Sequence, residues 1–175
     1  MSILKIARMG HPVLRTEARA LDRSQLRSAP VQKLIDDMIE TMIEYRGVGL
    51  AAPQVHEELR LFVALLDPDE PEDSDKPPMV LVNPEITPVG TEMVEGWEGC
   101  LSVPDIRGRV PRARAVTLRA LNRKGDRIEL PLQDFPARVV QHETDHLDGI
   151  LFFDRMRSFE SLTFLDEYAR FWAKD

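Results

Sequence analysis

His142 and His146, with Glu143 beside the first, form the pattern His-Glu-x-x-His within the stretch Gln141 to Gly149. Residues four apart share a helical face, so the two imidazoles can grip one metal ion. Glu143 lies about 100° round the same helix. Its carboxylate can therefore act as general base on water that the ion acidifies from a pKa of about 16 towards about 7. The helix that must position these groups is legible. Asp134 is a candidate N-cap, Pro136 suits the first turn, and Gly149 follows the last one. Phe135, Val139, His142 and His146 then fall on one stripe, which directs both rings into an apolar interior.

A catalytic site of this type takes three protein ligands and keeps one position open. One known arrangement puts a third His six residues after the second, but that position is Phe152, which cannot ligate. Another uses a downstream Glu, and Glu160 and Glu167 are the available ones, both in a charged C-terminal segment. His11 sits in a His-Pro turn, and His56 is followed by Glu57 and Glu58. The single cysteine, Cys100, lies within Glu98-Gly99-Cys100-Leu101-Ser102. A lone cysteine is commonly a small buried hydrophobe. As a thiolate it is also a good ligand for zinc or iron. The residues alone leave Glu160, Glu167 and Cys100 as candidates.

Three blocks carry a family resemblance. Gly47-Val48-Gly49-Leu50-Ala51-Ala52-Pro53-Gln54, Glu98 to Ser102, and Gln141 to Gly149 are similar, in content, order and spacing, to the signature of the peptide deformylases. The likeness runs from about Leu4 to Met156. It implies metal ligands Cys100, His142 and His146, with Glu143 as catalytic base. It also implies that the Gln54 amide and the Leu101 backbone N–H donate to the oxyanion. The implied reaction removes the N-formyl group from the N-terminal formylmethionine of newly synthesised polypeptides, releasing formate. The implied cofactor is Fe(2+), with Zn(2+), Ni(2+) or Co(2+) as other occupants. A methionine pocket is expected from Val48, Trp97, Phe135 and Val139. A strand edge near Gly47, Gly49 and Gly99 is expected to pair with substrate backbone, with Arg107 further out. Asp145 is expected to pair with Arg112 behind the helix. The sequence does not orient Arg138. Two rival readings are a metallopeptidase using Glu160 or Glu167, and a non-catalytic peptide-binding module; the latter is expected to lack Glu143 or Gln54, and both are present.

At 175 residues, 43% hydrophobic and 30% charged, the chain reads as one domain over 1–175 with a substantial core. Its net charge is −7. Six acids and one lysine between 67 and 78 carry −5 of that, so the remainder is close to neutral. This argues against a broad nucleic-acid surface. No run reaches the roughly 18 apolar residues of a membrane span. The N-terminus lacks an apolar leader, and one cysteine suits a reducing compartment. The expected setting is the bacterial cytoplasm, with an organelle as the other home. The expected partners are formylmethionyl nascent peptides met in transient proximity to the ribosome, by a monomer without membrane or specific nucleic acid. The C-terminal segment 158–175, with four acids and two bases, is a poor match to RNA.

The fold class expected is α+β, with short, mostly antiparallel strands around the central metal helix, plus an N-terminal and a C-terminal helix. Residues 4–16 read as an extended arm. A helix starts at Pro30, repeats Val31, Leu34, Ile35, Met38, Met42 and Tyr45, and ends at Gly47. Strands are expected over 61–66, over 79–83 with Pro84 as its stop, and over 86–94. A hairpin is expected from 115–121 and 127–130, turning at Asn122 to Gly125. Residues 67–78 read as a mobile acidic loop. Residues 158–173 read as an amphipathic helix with Leu162, Leu165, Tyr168, Ala169 and Trp172 on one face.

Overall fold

The computed structural model describes residues 2–66 and 78–173. Apart from Pro78, the expected loop at 67–78 lies outside the described residues. The chain opens as an extended arm with one 3-10 turn at Pro12–Arg15. A short helix, α1 (Arg23–Arg27), begins at an Asp22/Gln25 capping box. Helix α2 (Ala29–Glu44) follows, opened by Pro30. Its inner face buries Ile35, Met38 and Met42 completely, while Tyr45 lies exposed just past its end.

Strands β1 (Gly49–Ala51), β2 (Leu61–Ala64) and β3 (Met79–Pro88) come next. A long hairpin follows, β4 (Met93–Cys100) and β5 (Val103–Ala113), and then the expected hairpin, β6 (Ala115–Leu121) and β7 (Arg127–Gln133). Helix α3 (Asp134–Leu147) carries the His-Glu-x-x-His pattern. The chain ends with α4 (Phe152–Arg155), β8 (Thr163–Phe164) and α5 (Leu165–Phe171). Among the described residues two sheets form, in the orders β1-β2-β3-β6-β7 and β4-β5-β8, with every strand pair antiparallel. Helix α3 presses Ala137, Val139, Val140 and Leu147 into one core with Phe62, Leu81, Val116 and Leu118 of the larger sheet. The architecture is α+β with the metal-type helix at its centre. No helix among the described residues is long and apolar enough to cross a membrane.

Several boundaries differ from the expectation. Pro84 does not stop its strand, because β3 continues through a register shift between Val82 and Glu85. Asn83 takes φ +50° there, and its side chain clamps the Leu21 N–H and C=O at 2.9 and 2.8 Å. The strand expected over 86–94 is divided between the end of β3 and the start of β4. Asp134 does not cap α3; it has φ +53°, and its carboxylate accepts from Arg114 Nε at 3.0 Å. Gly149 does close the helix. At φ +70° it allows Gly149 N–H to reach the His146 carbonyl and Ile150 N–H the Asp145 carbonyl. The C-terminal helix is shorter than 158–173, covering Leu165–Phe171 with no buried residue. Residues before it are held extended, since Phe164 and Thr163 pair with Ile106 and Arg107, and Ser161 accepts from Arg109 N–H.

Candidate metal centre

The centre forms where the end of β4 meets the buried side of α3. Alternation along β4 puts Glu98 and Cys100 on its inner face, both buried. One turn of α3 separates His142 and His146, whose rings stand 5.0 Å apart. Cys100 Sγ lies 3.2 Å from His146 Nε2, and one donor atom from each of Cys100, His142 and His146 falls within 4.8 Å of the others. Among the described residues no other cluster of this kind occurs. Glu160 and Glu167 are not part of it. Phe152, at the position where a third histidine was considered, instead stacks on His142 at 6.5 Å and walls the centre from behind. His11 and His56 meet each other edge to face at 4.8 Å on the rim of the neighbouring pocket.

The surroundings fix the donors. Glu98 Oε2 accepts from His142 Nδ1 at 2.9 Å, which leaves Nε2 of that ring for the centre. The same carboxylate takes a two-pronged contact from Arg112, at 2.9 and 3.0 Å, and one from Arg138 at 2.7 Å. Arg112 also reaches Asp145, which Arg155 holds from the other side at 2.7 Å. Arg138 thus faces inward, donating to the Val94 and Val110 carbonyls as well. Burial pushes the Glu98 carboxyl up, but His142 and Arg112 more than offset this and hold it well below the usual carboxylate range. Burial also pushes the Cys100 thiol up, and the His146 and His142 rings more than reverse it, favouring thiolate.

Glu143 is buried beside the pair, and burial raises its carboxyl above the ordinary value against the pull of His142 and His146. Its Oε2, like His146 Nδ1, has no hydrogen-bond partner among the described residues. Gln54 is anchored through Oε1 by the Ala51 N–H at 2.9 Å, so its amino group turns to Cys100 Sγ at 3.4 Å and Ser102 Oγ at 3.2 Å. Leu101 sits in the turn between β4 and β5, and its N–H donates to no backbone carbonyl among the described turns and loops. A thiolate and two imidazoles, one of them oriented by Glu98, in a buried corner suit a divalent transition metal that keeps one position open.

Cys100 and His142 line the floor of an open pocket of about 990 Å³, with His146 buried behind them. Val48, Gly49, Trp97, Gly99, Arg107, Phe135 and Val139 all border it, together with Gln54, Leu101 and Glu143. Among the described residues, β1 and β4 are the outermost strands of their sheets, so each turns an edge without a strand partner outward beside this pocket. Arg107, the register partner of Gly99, lies across it where a side chain at 99 would be. Trp97 is packed by Tyr168 at 5.0 Å and Trp172 at 5.9 Å.

Sequence reasoning gave no role to Glu98, Ser102 or Arg155 and left Arg138 unoriented. For Glu98 a signal existed: two residues before Cys100 on a strand is the same face. Strand β5, which carries Arg112, was also overlooked, because Pro104, Gly108 and Pro111 obscure its alternation. The prolines are accommodated because β8 pairs β5 only at Ile106 and Arg107.

Residues 3–161 match the profile of the family described as Polypeptide deformylase. Peptide deformylase 2 of Nostoc sp. is 42% identical over 175 residues, covering 99% of this chain and 97% of that protein. A class I type b peptide deformylase from Acinetobacter baumannii, solved with Met-Ala-Ser bound, superposes with a TM-score of 0.80 at 43% identity, over 89% of this chain and all of that one. The peptide deformylase of Thermotoga maritima superposes with a TM-score of 0.81 at 37% identity, over 90% of this chain and 100% of that one.

Proposed function

The chain belongs to the polypeptide deformylase family, enzymes that remove the N-formyl group from nascent peptides, and from this premise we propose how its own residues carry the reaction. It is a metal-dependent hydrolase that cleaves a linear amide and releases formate. In our reading Cys100, His142 and His146 hold the metal, within one catalytic domain over 1–175. The metal is iron(II), with zinc, nickel or cobalt as replacement occupants, and when bound it supplies the positive charge that acidifies water and polarises the formyl carbonyl.

Glu143 takes a proton from the attacking water and passes one to the leaving amine, a role typically worth about 10²–10⁴-fold. Its burial and unpartnered Oε2 support that assignment. The Gln54 amino group and the Leu101 N–H receive the charge that develops on the formyl oxygen. The Ala51 anchor on Gln54 keeps the donor end turned to the centre. Losing one such donor typically costs about 3–4 kcal/mol of barrier. Val48, Trp97, Phe135 and Val139 offer apolar surface to the methionine side chain. The edges of β1 and β4 at Gly49 and Gly99 receive the peptide backbone, and Arg107 meets it further out. Asp145 and Arg112 steady the helix from behind. The enzyme acts as a monomer in the bacterial cytoplasm, in transient proximity to the ribosome.

The observation that carries this reading is the thiol and imidazole trio, within 4.8 Å, of which Cys100 and His142 line a pocket flanked by two strand edges. The test is formate release from formyl-Met-Ala-Ser by the wild type and by Glu143→Ala, with metal analysis of protein purified without oxygen. Equal rates reject the base. Full metal retention by Cys100→Ala rejects the ligand set.

A further inference from the structure

We infer that the mouth of the catalytic pocket selects formylmethionyl peptides with acidic side chains in the residues after methionine, an inference that rests on the deformylase reading. The whole chain is acidic, at −7, yet the rim is basic. Lys5, Arg8 and Arg46 are exposed on it and Arg107 is half-buried. None of the four is within ion-pair distance of a carboxylate among the described residues. The acids bordering the same pocket are Glu98, committed to Arg112, Arg138 and His142, the buried Glu143, and one exposed residue, Asp105. Among the described residues, four cations without an ion-pair partner therefore share this rim with one exposed carboxylate.

Arg46 adds an independent observation. It follows the last turn of α2 at φ +52°, where its N–H bonds the Ile43 carbonyl and the Gly47 N–H bonds the Met42 carbonyl. That closure ordinarily places glycine in the left-handed position. Here the position is held by an arginine and the glycine comes one residue later. A strained residue kept at a pocket mouth points to use of its side chain. Lys5 and Arg8 are also fixed in place. The arm bearing them is tied by Leu4 N–H to Thr41 Oγ1 at 2.9 Å, by Ala7 N–H to the Gln54 carbonyl at 2.7 Å, and by Met9 N–H to the Ser102 carbonyl at 2.8 Å.

A peptide with its formyl end on the floor runs its later residues out past this rim. Cations lining a cleft with low-dielectric walls raise the local concentration of anionic groups. RNA is the poorer occupant, since it needs an extended cationic track and the rest of this chain is acidic.

The test uses C-terminally amidated formyl-Met-Ala-X-Ala peptides with X as Glu, Gln or Lys, so that the side chain is the sole carboxylate. The expected order of kcat/KM is Glu over Gln over Lys, with Glu about 3- to 10-fold above Gln at low salt, shrinking to within about 2-fold at 0.5 M salt. Arg46→Gly, which relieves the backbone, lowers the Glu/Gln ratio, and Arg8→Glu with Arg46→Glu favours Lys. Dissociation constants of the same peptides carry the same ratios without turnover, so failure of the deformylase reading and failure of this one are told apart. Equal values for the three peptides, or ratios unmoved by the variants, overturn the inference. Equal values with inhibition by short RNA give the rim to nucleic acid.

Discussion

Glu143 occupies the space that any side chain at position 49 would need. A Cβ on Gly49 would stand 2.4 Å from Glu143 Oε1 and 2.7 Å from its Cδ. Strand β1 and helix α3 approach closely there because residue 49 is glycine. Gly49→Ala should therefore displace the carboxylate while leaving most of the fold intact. The expected result is a fall in kcat of about 10²-fold, with circular dichroism and metal content close to wild type. A rate within twofold of wild type would show that the seat of Glu143 against β1 does not matter.

Glu98 compensates two arginines and one of the metal-type imidazoles. Glu98→Ala strands buried positive charge and should cost about 3–5 kcal/mol of stability in urea unfolding. Glu98→Gln retains shape but no longer holds His142 with a charge. Zinc affinity, measured by chelator competition, should drop about 10–100-fold in that variant. Unchanged affinity would mean that the carboxylate serves the arginines alone.

Arg112 and Asp145 meet in the interior, with Arg155 closing the far side. A double-mutant cycle on Arg112 and Asp145 should give a coupling energy of about 1–3 kcal/mol, well above that of a surface pair. A coupling near zero would make the contact incidental.

Asp154 ties α4 to the N-terminal arm through Arg15 and caps the Leu151 N–H at 2.7 Å. Burial pushes its carboxyl up, but Arg15 and the Leu151 N–H outweigh this and lower it below its ordinary value. A carboxyl lowered on folding stabilises the protein above its unfolded value, and that contribution disappears as pH falls through the folded one. Asp154→Asn should thus be less stable than wild type at neutral pH, by under about 1 kcal/mol because the pair is half exposed. The gap should close as the medium is acidified below the ordinary aspartate range. A gap that persists there would remove the ionic explanation.

Local periodicity and turn chemistry were readable from the chain alone. The four-residue spacing of His142 and His146, the glycine stop at 149 and the 115–130 hairpin each depend on residues within a few positions of one another, so neighbours encode them. Family likeness extended that reading to Cys100 and Gln54, which lie far from the helix in sequence. What depended on which elements meet was decided only in three dimensions. Asp134 turned to Arg114, Pro84 passed inside a bulged strand, and the residues before α5 paired with β5 where a longer helix was expected. Glu98 and Arg138 acquired their roles the same way, because a buried charge is defined by its partners, and these come from α3 and from opposite sides of one hairpin. Side-chain spacing along a helix is a property of the helix, whereas the neutralisation of a buried carboxylate is a property of the packed whole.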